Sequence, residues 1–224
     1  MYDGGVMIDP TDYSGPDCAT CRVVACDAAP GSRPVPKSCP MPAEAELLDG
    51  VRTRYLEDDV LRRMAVESAR TEAAGYCRST RVEEIMDFAR RMGWRHLGIA
   101  HCVGLMQEAK SARDIFLAGG FEVSTVCCKV GSIDKVDVGV ADEEKLRPGE
   151  FEPLCSPVGQ AALLAEAGTE FNVVIGLCVG HDSMFFMNSK APVTVLVAKD
   201  RVLGHNPVAA LYTSHSCYRR LMGK

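Results

Sequence analysis

The sequence predicts an α/β fold in which a mostly parallel open sheet of about four strands carries helices on both faces. Two observations support this prediction. Short apolar runs alternate with helical patterns after residue 94, and each connection is long enough to contain a crossover helix. Right-handed crossovers place the carboxyl ends of all the strands at one edge of the sheet. Open α/β sheets bind ligands at that edge, so functional residues there should form one site.

The predicted elements follow one another in a simple order. The chain is helical from Ala43 to Tyr76, and a second helix opens on a capping box at Thr80 and ends at Gly93. The predicted strands cover residues 95–102, 121–128, 171–178 and 193–199. The later helices cover residues 105–118, 157–167 and a short stretch at 182–188, and a last helix has Pro207 at its first position.

The first 43 residues differ in composition from everything that follows, and we predict a domain boundary between residues 43 and 44. This segment is rich in proline and lacks helical or strand periodicity, so it cannot build an apolar core of its own. It carries a C-x2-C-x4-C-x12-C pattern at Cys18, Cys21, Cys26 and Cys39. Metal ligation would let such a peptide fold. We therefore predict a metal-binding segment at residues 1–43 and an α/β domain at residues 44–224.

The spacing of these four cysteines leaves two metals open. Zinc favours paired C-x2-C or C-x2-H hairpins, whereas the second half of this pattern has one cysteine. Three cysteines from one loop followed by a remote Cys-Pro are closer to a [4Fe–4S] site. The pattern resembles the small four-cysteine modules of corrinoid iron–sulfur proteins, whose last gap is longer. The prediction is a [4Fe–4S] cluster, with zinc as the alternative.

Cysteines recur at the predicted strand ends. Cys102, Cys128 and Cys178 lie at or near the ends of three strands, and Cys155 precedes the helix that leads into the third. Side chains alternate along a strand, so only one of Cys127 and Cys128 can point into a shared site, and Cys128 is closer to the turn. Four converging thiols would hold a metal or a second cluster, and the helix start beside Cys155 favours its thiolate. The alternative, that these cysteines are ordinary core residues, stays open.

Three histidines lie close to this set. His101 precedes Cys102, and His181 follows Cys178 by three residues. Both histidines are candidate ligands or proton carriers, and the alternative for each is a hydrogen-bonded structural residue. Cys178 and His181 are also a candidate catalytic pair of nucleophile and base, although the spacing alone does not establish contact. His205 is interpreted as a turn residue.

Several of these motifs resemble the DUF1847 family. The resemblance is carried by residues 100–105, 127–131, 151–157, 176–182, 191–194 and 199–207, and by the four-cysteine N-terminal segment, so that it covers nearly the whole chain. Members of this family are usually described as metal-binding proteins without a settled activity. The resemblance implies metal at the N-terminal cysteines. It also implies that four further cysteines are positions of the family's motifs: Cys102, Cys128, Cys155 and Cys178. It implies no particular reaction.

Composition and missing motifs argue against several functions. The net charge is −5 and no long cluster of Lys and Arg is present, so nucleic acid is not an expected partner. No apolar run approaches the roughly 18 to 20 residues that span a bilayer, and the N-terminus lacks the features of a signal peptide. We therefore expect a cytoplasmic protein, in which 11 cysteines indicate metal or thiol chemistry rather than disulfides. Phosphate-binding loops and the nucleophile elbow of hydrolases are absent from the sequence.

Three functions remain open. The first is an iron–sulfur redox or sulfur-handling enzyme, in which the N-terminal cluster passes electrons to the strand-end thiols. The second is a non-enzymatic carrier that delivers metal or sulfur to a client protein. The third is a structural zinc-binding protein whose other cysteines belong to the core. The partner expected from the first two is a redox, metal or sulfur client protein.

Overall fold

The computed structural model describes residues 15–223. The first 14 residues of the predicted Cys-rich segment and Lys224 lie outside it. The chain divides into two compact units, one that ends at Ala65 and one that begins at Val66. The boundary predicted after residue 43 rests on composition and stays a prediction. Within the described residues, no helix combines the length and the apolar character needed to cross a bilayer.

The first unit contains the Cys-rich segment and two helices, α1 (Pro40–Ala43) and α2 (Ala45–Glu57). The segment itself folds into two single turns of 3-10 helix, Cys18–Thr20 and Ala25–Asp27, linked by extended and turn residues. No residue between positions 15 and 43 is fully buried. The described part of the segment therefore has no apolar core, as expected for a peptide with this composition.

The helical stretch predicted from Ala43 to Tyr76 is interrupted at Asp58, whose backbone is extended. The Asp58 carboxylate accepts hydrogen bonds from the backbone N–H groups of Val60 and Leu61, both at 3.0 Å. It thereby caps the next helix, α3 (Asp59–Gly75). The helical periodicity continues across Asp58, and for this reason the sequence pattern did not reveal the break.

Helix α4 (Arg81–Met92) has the ends that its sequence predicts. The Thr80–Glu83 capping box closes its first turn, and Gly93 ends it with a φ of 76°. A positive φ of this kind is readily adopted by glycine, which has no Cβ to clash with the carbonyl group.

Within the described residues, four parallel strands form one sheet with the spatial order β2-β1-β3-β4. The strands are β1 (His96–His101), β2 (Glu122–Cys127), β3 (Phe171–Ile175) and β4 (Val193–Val197). The predicted fold class, an α/β fold with a mostly parallel sheet, is confirmed.

The helices between the strands decide where a ligand site can form. They are α5 (Met106–Ala118) between β1 and β2, α6 (Pro157–Glu166) before β3, α7 (His181–Asn188) before β4, and α8 (Val208–Tyr212) after β4. The chain moves to one side from β1 to β2 and to the other side from β2 to β3 and β4. Right-handed connections then place α5 on one face and α6 and α7 on the other. The direction changes between β1 and β3, and ligands bind at such a switch point in open α/β sheets.

The centre of the sheet is tightly packed. All five residues of β3 are buried, including Asn172. Its amide donates to the hydroxyl of Ser189 and accepts from the hydroxyl of Thr169, both at 2.9 Å. Gly98 on β1 lies so close that a Cβ there would be 2.0 Å from the Asn172 side-chain oxygen. This close packing positions β1 against β3 below the switch point.

The long loop at residues 129–154 is held by two ion pairs, each with one buried partner. Glu152 is 5% exposed and pairs with Lys135. Lys145 is also buried, and its ammonium group lies 2.6 Å from the carboxylate of Asp142. Partners of this kind let charged groups remain inside a folded loop. The loop therefore delivers the residue that follows it, a cysteine, to a defined place.

Candidate functional site

All four strands deliver functional side chains to the carboxyl edge of the sheet. Cys102 directly follows β1, and Cys128 directly follows β2. Cys178 comes shortly after β3, and Lys199 and Arg201 come shortly after β4. The parallel arrangement of the strands thus collects three thiols and two cations at one edge. They lie around the switch point between β1 and β3, where this class of fold binds ligands.

Backbone hydrogen bonds hold the first two cysteines just beyond the regular strands. The N–H group of Cys102 donates to the carbonyl of Ile175 at 3.1 Å. The N–H group of Cys128 donates to the carbonyl of His101 at 2.8 Å. The hydrogen-bond ladder of the sheet therefore extends by one residue into the site, and the two thiols are carried by a rigid element.

A glycine turn leads from β3 to the third cysteine. Gly176 has a φ of +67°, and a Cβ at this position would lie 2.5 Å from the side chain of Leu105. Glycine meets both requirements because it tolerates the left-handed backbone and leaves room for the leucine. Beyond the turn, the carbonyl of Cys178 accepts from the N–H group of His181 at 2.9 Å, at the start of α7.

Three of the strand-end cysteines interact through their side chains. Cys128 is in the middle and 2% exposed, and its side chain has the largest influence on the pKa values of Cys102 and Cys155. The N–H group of Val103 donates to Cys128 Sγ at 3.3 Å. Cys155 joins the chain because the N–H group of Ser156 donates to the Cys128 carbonyl at 2.7 Å. We refer to Cys102, Cys128 and Cys155 as the thiol chain.

The two ends of the thiol chain are thiolates at neutral pH. The hydrogen bond from Cys128 is the largest cause that lowers the pKa of Cys102 to about 4 and the pKa of Cys155 to about 5. Lys199 Nζ lies 3.3 Å from Cys102 Sγ, and the ammonium group of Lys129 lowers the pKa of Cys155 further. The same two partners raise the pKa of Cys128, which keeps its proton. A protonated Cys128 thus lies between two thiolates.

The fourth thiol, Cys178, is paired with a guanidinium group. Arg201 Nη2 lies 3.1 Å from Cys178 Sγ. The hydrogen bond to Cys178 raises the pKa of Arg201, and the negative charges of Cys102 and Cys155 raise it further. Arg201 is therefore within electrostatic reach of both ends of the thiol chain. Cys178 itself is partly exposed, in contrast to the buried Cys102.

A tight turn after β4 presents these cations. The Asp200 carboxylate accepts hydrogen bonds at 2.9 and 2.8 Å from the two N–H groups that follow Arg201. The N–H group of Asp200 donates to His205 Nδ1 at 3.1 Å, and His205 has a φ of 65°. His205 is therefore a turn residue, as the sequence indicates. The turn places Lys199 and Arg201 on the thiol side of the sheet edge.

Three cations of this site, Lys129, Lys199 and Arg201, were not among the residues predicted from the sequence. Each lies at, or one or two residues past, the end of a predicted strand. The signal was therefore available, since the rule that gathers strand-end cysteines also gathers strand-end lysines and arginines. Exposed basic residues are common, however, and the sequence alone does not show which of them turn toward a thiol.

The two histidines predicted beside the thiols lie in different surroundings. His101 Nδ1 donates to the carbonyl of Cys102 at 3.1 Å, and its ring lines a cavity of about 160 Å³ beside α5. His181 begins α7, and its charge is one cause of the lowered pKa of Cys155. His181 is thus near enough to Cys155 to lower its pKa. Its contact with Cys178 is a backbone hydrogen bond. The proposed role of His181 as a base stays a prediction.

The N-terminal cysteines of the first unit share one cavity. Its volume is about 190 Å³, and its lining includes Cys18, Cys21, Cys26 and Cys39. All four thiols are free. The N–H group of Val24 donates to Cys21 Sγ at 3.4 Å from a left-handed backbone with a φ of 47°. The loop therefore directs a backbone donor at one of the sulfur atoms.

An arginine side chain on the outside of this cysteine loop bonds to the backbone of the loop. Arg33 Nη1 donates to the carbonyls of Val23 and Val24 at 3.2 and 3.1 Å. Pro40, at the first position of α1, follows Cys39 directly and fixes the direction of the chain there. The cavity is thus formed by local turns and one long side chain, without a core.

Neither group of cysteines is arranged around a single point. Among residues 15–223, no three side chains of His, Cys, Asp or Glu are close enough to hold one metal ion. The N-terminal cysteines surround a cavity, and the thiol chain is a row of neighbouring thiols. A site for one ion at either place would require the side chains to move closer together.

Similarity to known proteins places the chain among relatives of unknown activity. It matches the DUF1847 family, described as a protein of unknown function, over residues 39–196. An uncharacterised protein of Methanocaldococcus jannaschii is 45% identical over 170 residues, which cover 76% of this chain and 86% of the relative. Neither description names a metal or a reaction. The family match is narrower than the resemblance expected from the sequence, since it leaves out Cys18, Cys21, Cys26, Lys199 and Arg201.

Proposed function

The chain belongs to the DUF1847 family, and we propose that it is a sulfur-handling or thiol-redox protein whose reactive groups are the strand-end thiols. The observation that carries this proposal is the thiol chain with three cations around it. Thiolates are the nucleophilic form of cysteine, and reactive cysteines lie in electropositive, partly exposed surroundings. Cys155 and Cys178 meet this description because both are partly exposed and both have a cationic neighbour.

The arrangement differs from what core packing needs. A core cysteine is a small neutral hydrophobe, and burying a thiolate without partners is costly. Here Lys129, Lys199 and Arg201 are directed at sulfur atoms. Donors of this kind add nothing to apolar packing, but they stabilise negative charge on sulfur.

The accessible nucleophile in this proposal is Cys178. Its sulfur is partly exposed and bonded to Arg201, whereas Cys102 and Cys128 are buried behind it. His181, the second predicted catalytic residue, lies near Cys155 and is one cause of its lowered pKa. The thiol chain would then be the place where a bound sulfur atom or a disulfide is resolved.

We further propose that the four N-terminal cysteines hold a [4Fe–4S] cluster. Cys18, Cys21, Cys26 and Cys39 would be its ligands, and the cluster would supply one-electron transfer. Support comes from the cavity of about 190 Å³ that all four cysteines line. A cubane lies between its ligands, whereas zinc needs four sulfur atoms about 2.3 Å from one point. The hydrogen bond from Val24 to Cys21 Sγ is also of the kind that tunes cluster sulfur atoms.

Metal binding by Cys102, Cys128, Cys155 and Cys178, predicted from the sequence, is the alternative use of the strand-end site. It corresponds to the carrier function, in which a metal or second cluster is held for a client protein. Four converging thiols favour this alternative, and the row-like arrangement of three of them favours thiol chemistry. If the strand-end site binds metal, the protein contains metal beyond the N-terminal cluster. If the site performs thiol chemistry, it does not.

One anaerobic preparation tests both parts of the proposal. We expect about four irons and four sulfides per chain, by the cubane stoichiometry. We also expect iodoacetamide at pH 6 to alkylate Cys155 about tenfold faster than Cys217, an exposed cysteine outside both sites. One zinc without sulfide would overturn the cluster assignment. Equal alkylation of Cys155 and Cys217 would overturn the thiol assignment, as would further metal that is lost in Cys178→Ser.

A further inference from the structure

The cations at the strand-end site point to a class of substrate. Resting on the proposed sulfur-handling function, we propose that Cys178 and Arg201 form the entry point for an anionic sulfane-sulfur donor. Such a donor is an oxo-sulfur anion in which a sulfane sulfur is bonded to a sulfonate group, as in thiosulfate. Arg201 and Lys199 would hold the oxyanion, and Cys178 would accept the sulfane sulfur.

Arg201 has hydrogen-bonding capacity left for an oxyanion. A guanidinium group carries five N–H donors in a planar fork that matches sulfonate, phosphate and carboxylate oxygens. Within the part of the chain that the structure describes, the hydrogen bond from Arg201 Nη2 to Cys178 Sγ is the one its side chain makes. The remaining donors are therefore free to hold a ligand beside that sulfur atom.

No carboxylate neutralises the two cations. Within residues 15–223, neither Arg201 nor Lys199 forms an ion pair with an acidic side chain. The nearest acidic residue in sequence, Asp200, accepts two backbone N–H groups of its own turn instead. Both cations therefore pair with sulfur atoms rather than carboxylates, and Arg201 keeps guanidinium donors for an anion from solvent.

The sulfur atom next to Arg201 is also the one that a substrate can reach. Cys178 is partly exposed, and its neighbour Val179 is 92% exposed. Cys102 and Cys128, in contrast, are 7% and 2% exposed. A small anion held by Arg201 would therefore meet Cys178 before any buried thiol of the chain.

The proposed step balances without an oxidant or a reductant. The Cys178 thiol gives its proton to solvent and attacks the sulfane sulfur of thiosulfate, and a bond forms between Cys178 Sγ and that sulfur. The bond between the sulfane sulfur and the sulfonate sulfur breaks, and sulfite leaves with the electron pair. The products are a Cys178 persulfide and sulfite. Arg201 would stabilise the sulfonate group as negative charge builds up on it.

The test uses the reduced full-length protein and thiosulfate under anaerobic conditions. Persulfide is measured by mass spectrometry as one added sulfur atom on the Cys178 peptide, and released sulfite is measured in parallel. We expect one persulfide and one sulfite per chain, none in Cys178→Ser, and a rate about tenfold lower in Arg201→Gln, which loses a charged hydrogen bond. Arg70→Gln is the matched control, because Arg70 is an exposed arginine paired with Glu67 on α3.

Iodoacetamide, which is uncharged, separates the two proposals. If Cys155 keeps its fast alkylation while thiosulfate leaves no persulfide on Cys178, the substrate class is wrong and the thiol function stands. Equal rates for Arg201→Gln and Arg70→Gln would also overturn the role of Arg201. If the fast alkylation is absent as well, the proposed function itself fails. Sulfate should slow the reaction of the wild type, and the absence of any competition would count against an oxyanion site.

Discussion

The two groups of cysteines in this chain are assembled in opposite ways. Cys18, Cys21, Cys26 and Cys39 come from one short segment without a fully buried residue, and local turns alone bring them around a cavity. The strand-end thiols are scattered from Cys102 to Cys178, and a buried parallel sheet collects them.

Because of this difference, a bound ligand should stabilise the fold of the first site but not that of the second. The N-terminal segment has little apolar burial to offset the entropy of ordering its backbone, so a bound metal would be a large part of its stability. The sheet is held by its own core, so the strand-end site exists whether or not a ligand is bound. Loss of a ligand should therefore disorder the first site and leave the second unchanged.

The largest expected effect is the loss of the N-terminal cluster in Cys39→Ser. With one of four ligands removed, we expect iron to fall to near zero and residues 15–43 to become sensitive to protease. The far-ultraviolet circular dichroism of the sheet and the alkylation rate of Cys155 should not change. Cys217→Ser, outside both sites, is the control. A protease-resistant segment without iron would show that the two regions do not differ in this way.

The next largest effect concerns the pH dependence of the thiol chain. In the wild type, alkylation of Cys155 should rise as pH increases through about 5, because its lowered pKa makes the thiolate form there. Cys128→Ala removes the largest cause of that shift, so the half-maximum should move upward by about 1–3 pH units. Cys127→Ala, on the adjacent β2 residue, should leave it in place. A wild-type half-maximum near the ordinary value of about 8.5 would disprove the thiolate assignment.

A change beneath the sheet edge should destabilise the sheet and leave the N-terminal site unchanged. Gly98→Ala would place a Cβ 2.0 Å from the Asn172 side-chain oxygen. We expect the free energy of unfolding of the sheet to fall by about 1–3 kcal/mol, as for other overpacked cores. Iron content should be unchanged. Gly50→Ala is the control, because no atom lies within 4 Å of a Cβ at this position in α2. Chemical denaturation followed by tryptophan fluorescence measures the difference, and equal stability of both variants would contradict it.

The smallest expected effect is at the outside of the cysteine loop. Arg33→Gln removes the hydrogen bonds to the carbonyls of Val23 and Val24. Because these bonds are exposed, we expect a loss of about 0.5–1 kcal/mol, seen as iron released to a chelator roughly two- to fivefold faster. Arg22→Gln, at another exposed arginine of the segment, should release iron at the wild-type rate. If both variants release iron equally fast, the loop is not held by Arg33.

Much of the fold could be predicted because its signals are local. The alternation of apolar runs with helical patterns identified four strands and a parallel sheet, and glycines and prolines marked several element ends. The break at Asp58 escaped prediction, since the helical periodicity runs through it and a single capping carboxylate decides it. The grouping of the N-terminal cysteines was also visible, because their spacing is short enough for one loop.

The strand-end site was visible only in outline. That strand ends meet at one edge follows from the α/β alternation, and this placed Cys102, Cys128 and Cys178 together. The row of Cys102, Cys128 and Cys155 depends on how a 26-residue loop returns to β2, which no sequence period describes.

By itself, the sequence determined the α/β class, the four-cysteine pattern and the strand ends that carry thiols, because each depends on residues close together in the chain. Only the tertiary structure decided the strand order, the central place of Cys128 in the thiol chain and the pairing of Lys199 with Cys102 and of Arg201 with Cys178. The Lys199–Cys102 pair lies 97 residues apart in the chain. Contacts of that kind are set by the packing of the whole sheet, and local periodicity carries no information about them.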